Sequence, residues 1–357
     1  MKLVFCGTPQ FAVPTLEKLI AERFEIALVI TNPDERSGRG YELKPSPVKQ
    51  AAARAGLSLF QPAKLKDPLT EKLLSEVQPD AIVVVAYGHI VPNWMIALPR
   101  LGCLNLHASL LPRYRGAAPI PWAIVRGERV TGVTTMRIDA GLDTGDILLK
   151  REVEIRDDDT TEKLSQRLSI VGADLMVETL RGWERGEIVP VPQDHKLATL
   201  APMLKKEDGR IDWSLSAEEI ARRVRGFAPW PGAYTTFRGK NFHIWSATSE
   251  HANEDLPLGA RASRPLFNAV ASGEWLVAGK SGRDANAPDS RSALPALPLP
   301  GELIVESGKL RIVCGHQTLL EAREVQMEGR KRMLARDFLN GVRLLPGERL
   351  GVASAPI

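Results

Sequence analysis

Little in this chain points to metal, disulfide or membrane chemistry. Its 357 residues contain three cysteines, Cys6, Cys103 and Cys314, widely separated, with no Cys-x-x-Cys pair and no histidine at metal-ligand spacing. That argues against a disulfide framework or a zinc site, so no metal is expected. Cys6 and Cys103 each lie in an apolar, strand-like run and read as buried, unreactive thiols. Long apolar stretches are missing as well: Asp80-Ala-Ile-Val-Val-Val-Ala86 is far too short to cross a bilayer. The amino terminus, MKLVFCG, enters a strand-like run without the basic and apolar regions of a signal peptide. No membrane partner is expected, and the chain reads as cytoplasmic. Nucleotide fingerprints are absent too. Cys6-Gly-Thr-Pro-Gln-Phe11 is neither G-x-G-x-x-G nor G-x-x-x-x-G-K-[ST], which demotes a dehydrogenase or an ATPase.

Charge of one sign is scarce: 47 Lys+Arg against 43 Asp+Glu leave +4. The excess lies in residues 205–357, with 22 basic against 18 acidic side chains. A C-terminal excess is compatible with an acidic partner such as RNA, although the charges are mixed rather than blocked.

What is present is a rhythm. Leu3 to Cys6, Glu25 to Ile30, Leu57 to Phe60, Asp80 to Ala86 and Cys103 to His107 read as buried strands. Ala12 to Glu22, Pro47 to Ala55, Asp67 to Val77 and Ala118 to Arg126 read as the helices between them. This alternation predicts an α/β fold with a doubly wound, mostly parallel Rossmann-like sheet, whose ligands bind beyond the carboxyl ends of the strands. Strands at Gly132 to Ile138 and Ile147 to Ile155 and a long helix, Thr160 to Arg185, complete a first domain over residues 1–188. Residues 189–207, rich in proline, read as a surface linker. A second domain over 208–357 carries a helix, Ala217 to Phe227, and strand-like pieces at Ala233 to Arg238, Asn241 to Trp245, Glu302 to Val305, Lys309 to Cys314 and Glu321 to Val325. These predict a small β-barrel or open sheet, followed by a closing helix, Met333 to Leu339. Its segment of about 250–300, rich in Ala, Pro, Ser and Gly toward the end, reads as a long flexible insertion.

At the end of the last parallel strand stands NLHASLLPRYRG, residues 105–116. Alternation along a strand puts Asn105 and His107 on one face. The apolar loop Leu110-Leu111-Pro112 then needs a core or a ligand to cover it. A second polar element, Asp139-Ala-Gly-Leu-Asp143-Thr-Gly145-Asp146, flanks an acidic residue with glycines and could aim a carboxylate at His107. On pattern alone the structural reading is the commoner one: a strand-end Asn and His as satisfied hydrogen-bonders, and an Asp between glycines as a turn former.

The stretches NLHASLLPRYRGAAPI and GVTTMRIDAGLDTGDIL closely resemble the folate-dependent formyltransferases. The similarity extends through VFCGTPQFAVPTLEKL, NPDERSGRG, KPSPVK, VVVAYGHIVP, KKEDGRIDWS, FAPWPGAY and GRKRMLARDFLNG, covering nearly the whole chain outside about 250–300. The resemblance implies that Asn105, His107 and Asp143 form the catalytic set, and that 10-formyltetrahydrofolate is the co-substrate. It implies folate contacts at Ser109, Leu110, Leu111 and Pro112, with Ile90, Val91 and Asp139 as neighbours. Within the family the chain resembles the branch that acts on methionyl initiator tRNA: Thr31 to Lys49 matches that branch's inserted loop, and GTPQF lacks the phosphate loop of glycinamide ribonucleotide formyltransferases. Arg39 and Lys206 fall on tRNA-contacting positions, and Arg222, Arg223, Arg225, Arg330, Lys331 and Arg332 are further candidates on an oligonucleotide-binding-like (OB-like) second domain. Tyr41-Glu42, Leu200 and Met203 depart from the branch's usual residues. UDP-amino-sugar formyltransferases, which share the triad, are the competing reading. Arg113 and Arg115 read equally as ligands for a folate tail or a phosphate and as solvated loop charges. A monomer is expected.

Overall fold

The computed structural model describes residues 1–37, 42–250 and 298–351. They form two compact units: residues 1–210 with 222–233, and residues 211–221 with 234 onward.

The first unit runs β1 (Lys2–Gly7), α1 (Val13–Ala21), β2 (Glu25–Ile30), β3 (Glu35–Ser37), β4 (Glu42–Lys44), α2 (Pro47–Arg54), β5 (Leu59–Phe60) and α3 (Pro68–Val77). It continues with β6 (Ala81–Val85), α4 (Asn93–Ala97), β7 (Cys103–His107), α5 (Pro119–Val125), β8 (Val130–Arg137), β9 (Ile147–Glu154) and α6 (Thr161–Glu184). Seven strands make one sheet in the order β5-β2-β1-β6-β7-β8-β9. The first five are parallel, as strands joined by helical crossovers must be, and β8 and β9 continue the sheet antiparallel. Helix starts follow local chemistry. Ser46 caps α2 by accepting from the Lys49 amide, Asp67 caps α3 by accepting from that of Leu69, and a proline opens each helix.

Both faces of the sheet are covered, which is why β6 is apolar at every position. Leu3, Phe5, Val83, Leu104 and Leu106 pack with Leu16 and Leu19 of α1 and Leu168 and Leu175 of α6. Val4, Cys6, Ile82, Val84 and Cys103 pack with Leu74, Tyr87 and Met95 on the other face. Since Leu104 and Leu106 fill one core, the pleat turns Cys103, Asn105 and His107 to the opposite side. All three thiols are buried and free.

The structure adds to and departs from the sequence expectation in places. Residues 35–37 and 42–44 pair as a short antiparallel ribbon, Glu35 opposite Lys44, in a stretch expected to be a loop. Its base is pinned by Lys49 Nζ, 2.6 Å from Asp34 Oδ2, and by Gln61, which donates to Asp34 Oδ1 and to the Asn32 carbonyl. Residues 38–41 lie outside the described residues. The proline-rich 189–207 runs over the surface, as expected, with Val189, Val191, Leu197, Leu200 and Met203 exposed, but it is also tied to the first unit. Val191 bridges Ile147 at the edge of the sheet, Leu200 bridges Arg115, and Gln193 and Ala201 are buried. Prolines deprive this strap of regular pairing, so it is held by side chains and isolated bridges.

The second unit is an antiparallel sheet. Helix α7 (Ala217–Gly226), whose residues from Arg222 on belong to the first unit, precedes β10 (Ala233–Phe237), β11 (Lys240–Glu250), β12 (Leu303–Glu306), β13 (Lys309–Val313), β14 (Leu319–Met327), β15 (Met333–Leu334) and α8 (Ala335–Gly341). The order is β10-β11-β14-β13-β12, with β15 beside β14. Among the described residues no pairing closes it into the expected OB-like barrel. Phe237, Phe242 and Phe338 form its aromatic centre, with ring centroids 5.3–5.9 Å apart. Met333, expected in the closing helix, pairs with Val325 instead, and the helix starts at Ala335. The expected insertion lies largely outside the described residues, at 251–297.

Candidate active site

The carboxyl end of β7 presents three polar features at once. Asn105 is partly exposed, and its carboxamide has no hydrogen-bond partner among the described residues. His107, two residues on and on the same face, is buried, with Nε2 2.9 Å from the Tyr114 carbonyl oxygen. A carbonyl only accepts, so Nε2 carries a proton, and Nδ1 is left to face the site. Asp143 Oδ2 lies 3.7 Å from that Nδ1 and accepts from the Gly116 amide at 2.8 Å. The carboxylate is thus held by a backbone donor and pointed at the imidazole, as the glycine-flanked loop suggested.

Tyr114 and Gly116 belong to the loop that follows β7. Thr134 of β8 organises its start by donating to the Ser109 carbonyl (2.7 Å) and accepting from the Leu111 amide (3.2 Å). Ser109 Oγ donates to the Arg113 carbonyl, and Lys150 donates to that of Leu111. Leu111 is fully buried with Met136 and Ile147. Of the two covers the sequence left open, a core or a ligand, a protein core lies beneath this loop at Leu111. Ser109 and Leu111 set its shape, while Leu110 and Pro112 are partly exposed. Tyr114 is buried as well. Burial, and then its hydrogen bond to Glu128, push its phenol up to about 12, so it stays protonated.

The Asp143 loop is equally determined. Asp139 Oδ1 accepts from the Gly141 amide and from Thr144 Oγ1, closing the turn on itself. Gly145 has no room for a side chain, because a Cβ there would run into the Arg137 carbonyl. Asp143 itself has φ +53°, a left-handed conformation that needs outside support. That support comes from Gln193 of the strap, whose Nε2 donates to the carbonyls of Asp143 (2.9 Å) and Gly145 (2.7 Å). Around the site Ile90 is 88% exposed and Leu142 65%, whereas Val91 belongs to the core.

Comparison with known proteins places this arrangement. Residues 1–180 match the family described as formyl transferase, and residues 203–343 match that described as formyl transferase, C-terminal domain. The chain belongs to the formyl transferase family. A methionyl-tRNA formyltransferase of Koribacter versatilis is 49% identical over 356 residues, covering 99% of this chain and 100% of the relative. One of Acidobacterium capsulatum is 49% identical over 352 residues, covering 98% and 100%. Among solved structures, an N-formyltransferase from Helicobacter canadensis in complex with folinic acid and dTDP-3-aminofucose shares the fold with a TM-score of 0.60 at 16% identity, covering 92% of this chain and 99% of that one. HypX from Aquifex aeolicus in complex with tetrahydrofolic acid gives 0.57 at 18%, covering 95% of this chain and 47% of that one.

Several basic residues expected to contact RNA stand differently in this formyl transferase. Arg225 is largely buried in the first unit, donates to the Asp159 carbonyl, and has its pKa lowered by burial. Arg222 is half-buried against Gly127. Neither sits on the second unit, as expected, and the Arg225 guanidinium is committed within the fold. Arg115, weighed as a ligand for a folate tail or phosphate, is 6% exposed and bound to Gln193 and His195. Arg113 pairs with Glu128. Arg332 pairs with Glu324 and lies over the Trp245 ring. Lys206 is exposed. Arg39 lies outside the described residues. Among the described residues no cluster of His, Cys, Asp or Glu could hold a metal ion, and no helix is long and apolar enough to cross a membrane. Sequence reading missed Tyr114, whose carbonyl fixes the imidazole, and Gln193, the first of a polar run, Gln193 to Lys196, with no periodicity to mark it.

Proposed function

We propose that the protein transfers the formyl group of 10-formyltetrahydrofolate to the α-amine of methionyl initiator tRNA, with Asn105, His107 and Asp143 as the catalytic residues. The observation that carries this reading is the convergence of an amide without a partner among the described residues, a ring nitrogen and a backbone-held carboxylate at one strand end. The near-complete match to methionyl-tRNA formyltransferases supports the acceptor.

The chemistry follows from what each group can do. Attack of the amine nitrogen on the formyl carbon makes a tetrahedral centre bearing an oxyanion, which needs donors already in place. The Asn105 carboxamide supplies one N–H. His107 Nδ1, when protonated, supplies the second, because Nε2 is committed to Tyr114. The attacking amine must shed a proton and the departing N10 of the folate must gain one; Asp143 and Nδ1 are the pair that can pass it along. Collapse of the intermediate breaks the carbon–N10 bond and leaves the formamide on the acceptor.

The ring system of the folate is assigned to the surface bounded by Leu110, Pro112, Ile90 and the Asp139 to Asp143 loop, where Ile90 and Leu142 stand exposed. Ser109, Leu111 and Val91 would support that surface from behind. Lys206 and Arg39 are assigned to tRNA phosphates. On this reading the second unit is the family's OB-like module, adding its basic excess to the RNA-facing charge.

The test offers labelled 10-formyltetrahydrofolate with initiator methionyl-tRNA, elongator methionyl-tRNA and UDP-4-amino-arabinose side by side. Formylation of the initiator tRNA is expected to dominate; preference for the sugar overturns the assignment.

A further inference from the structure

We propose that Gln193 is a positioning residue for the transfer, setting the Asp143 carboxylate against His107 by holding the backbone of residues 143–145. The inference rests on the reading above and names a group that the reaction itself does not require. Gln193 is 6% exposed, and its carboxamide is used at both ends. Nε2 donates to the carbonyls of Asp143 and Gly145, at 2.9 and 2.7 Å. Oε1 accepts from Arg115 Nε and Nη2, at 3.1 and 2.6 Å. With carbonyls on one side and a guanidinium on the other, only one orientation of the amide satisfies all four contacts.

The Arg115 side explains why the amide cannot turn. Arg115 is buried, and no carboxylate lies within ion-pair distance of it among the described residues. Its partners are the neutral oxygen of Gln193 and His195 Nδ1, 3.2 Å away. Burying a cation on neutral acceptors is costly, so each acceptor is firmly held. The chain around Arg115 is tied down as well. Its N–H donates to the Thr199 carbonyl and its carbonyl accepts from Ala201, while Gly116, the next residue, donates to the Asp143 carboxylate. Gln193 and Gly116 therefore hold Asp143 from two directions, one by its backbone and one by its side chain. The left-handed φ of +53° at Asp143 is what such a grip must maintain.

Gln193→Glu separates this role from simple packing. It keeps the shape and satisfies Arg115 as a carboxylate, but replaces the two donors facing the Asp143 and Gly145 carbonyls with acceptors. A displacement of about 1 Å at a catalytic group can cost on the order of 10²-fold in rate. The expected result is a fall of 10- to 100-fold in kcat, with KM for both substrates within about threefold. In the double variant with Asp143→Asn, the loss should be no larger than in Asp143→Asn alone, because the two substitutions remove one function. Gln193→Asn keeps the amide but is a methylene too short to span both partners. It serves if Gln193→Glu does not fold, and should show the same signature in smaller measure. Wild-type kcat in these variants, a loss confined to KM, or losses that multiply independently with Asp143→Asn would overturn the proposal and leave the functional reading standing. Absence of formyl transfer by the unaltered protein would overturn both.

Discussion

Asn105 is the group on which the proposed reaction and the fold make separate demands. Its carboxamide sits at the end of a strand whose neighbours Leu104 and Leu106 are buried in the core, yet it has no partner among the described residues. Asn105→Ala should therefore leave the thermal unfolding midpoint unchanged and lower kcat by about 10²- to 10³-fold, the usual loss for one oxyanion donor. An unfolding midpoint that falls with kcat would assign the residue to structure. The thiols behave oppositely. Burial raises Cys6 well above the usual range and pushes Cys103 and Cys314 up to about 12. The thiolate is the reactive form, so at neutral pH no alkylation is expected in the folded protein and all three cysteines should react after denaturation. Labelling at a rate independent of denaturant would contradict this. Pattern alone favoured a structural role for Asn105, whereas apolar context put the burial of Cys6 and Cys103 within reach of the sequence. The Tyr114 carbonyl lay beyond it, since which ring nitrogen a backbone group will hold depends on how a loop returns.

At the level of elements, β7 was read correctly to the residue. Its five positions are flanked by strands on both sides, and burial at all of them but Asn105 leaves a plain signal. The antiparallel continuation into β8 and β9 was legible as strands but not as direction, because periodicity is blind to polarity. How the strap is anchored was not legible for a related reason: proline and absent periodicity describe its backbone, whereas its attachment is decided by Gln193, Thr199 and Ala201 meeting groups far away in sequence. The Asp143 loop depends on its smallest residue. Gly145→Ala would drive a methyl into the Arg137 carbonyl, so the loop must shift. Activity should fall by at least tenfold while the sheet, monitored by far-ultraviolet circular dichroism, stays intact. Undiminished turnover would mean that the loop has slack its geometry does not suggest.

Over the whole molecule, sequence similarity spans both units, but the basic residues divide by circumstance. Arg225 and Arg115 are committed within the fold, Arg113 and Arg332 are paired, and Lys206 remains exposed. Composition counts these alike; only burial and pairing separate them. Lys206→Ala should raise KM for the tRNA and reduce the slope of log affinity against log salt by about 0.7 to 0.9, the contribution of one phosphate contact, leaving KM for the folate unchanged. A shift in the folate constant alone would place Lys206 elsewhere.

The strap is fastened at several points, among them Val191 to Ile147, Gln193 to the Asp143 loop, and Thr199 to Ala201 along residues 114–116, with only a short run between the last two. Outward side chains such as Leu197 and Leu200 are free to drift by mutation. The number of residues separating the two anchors is not. Deleting or duplicating one residue there should silence the enzyme even where any single replacement is accepted, making this stretch a ruler whose spelling can change but whose length cannot.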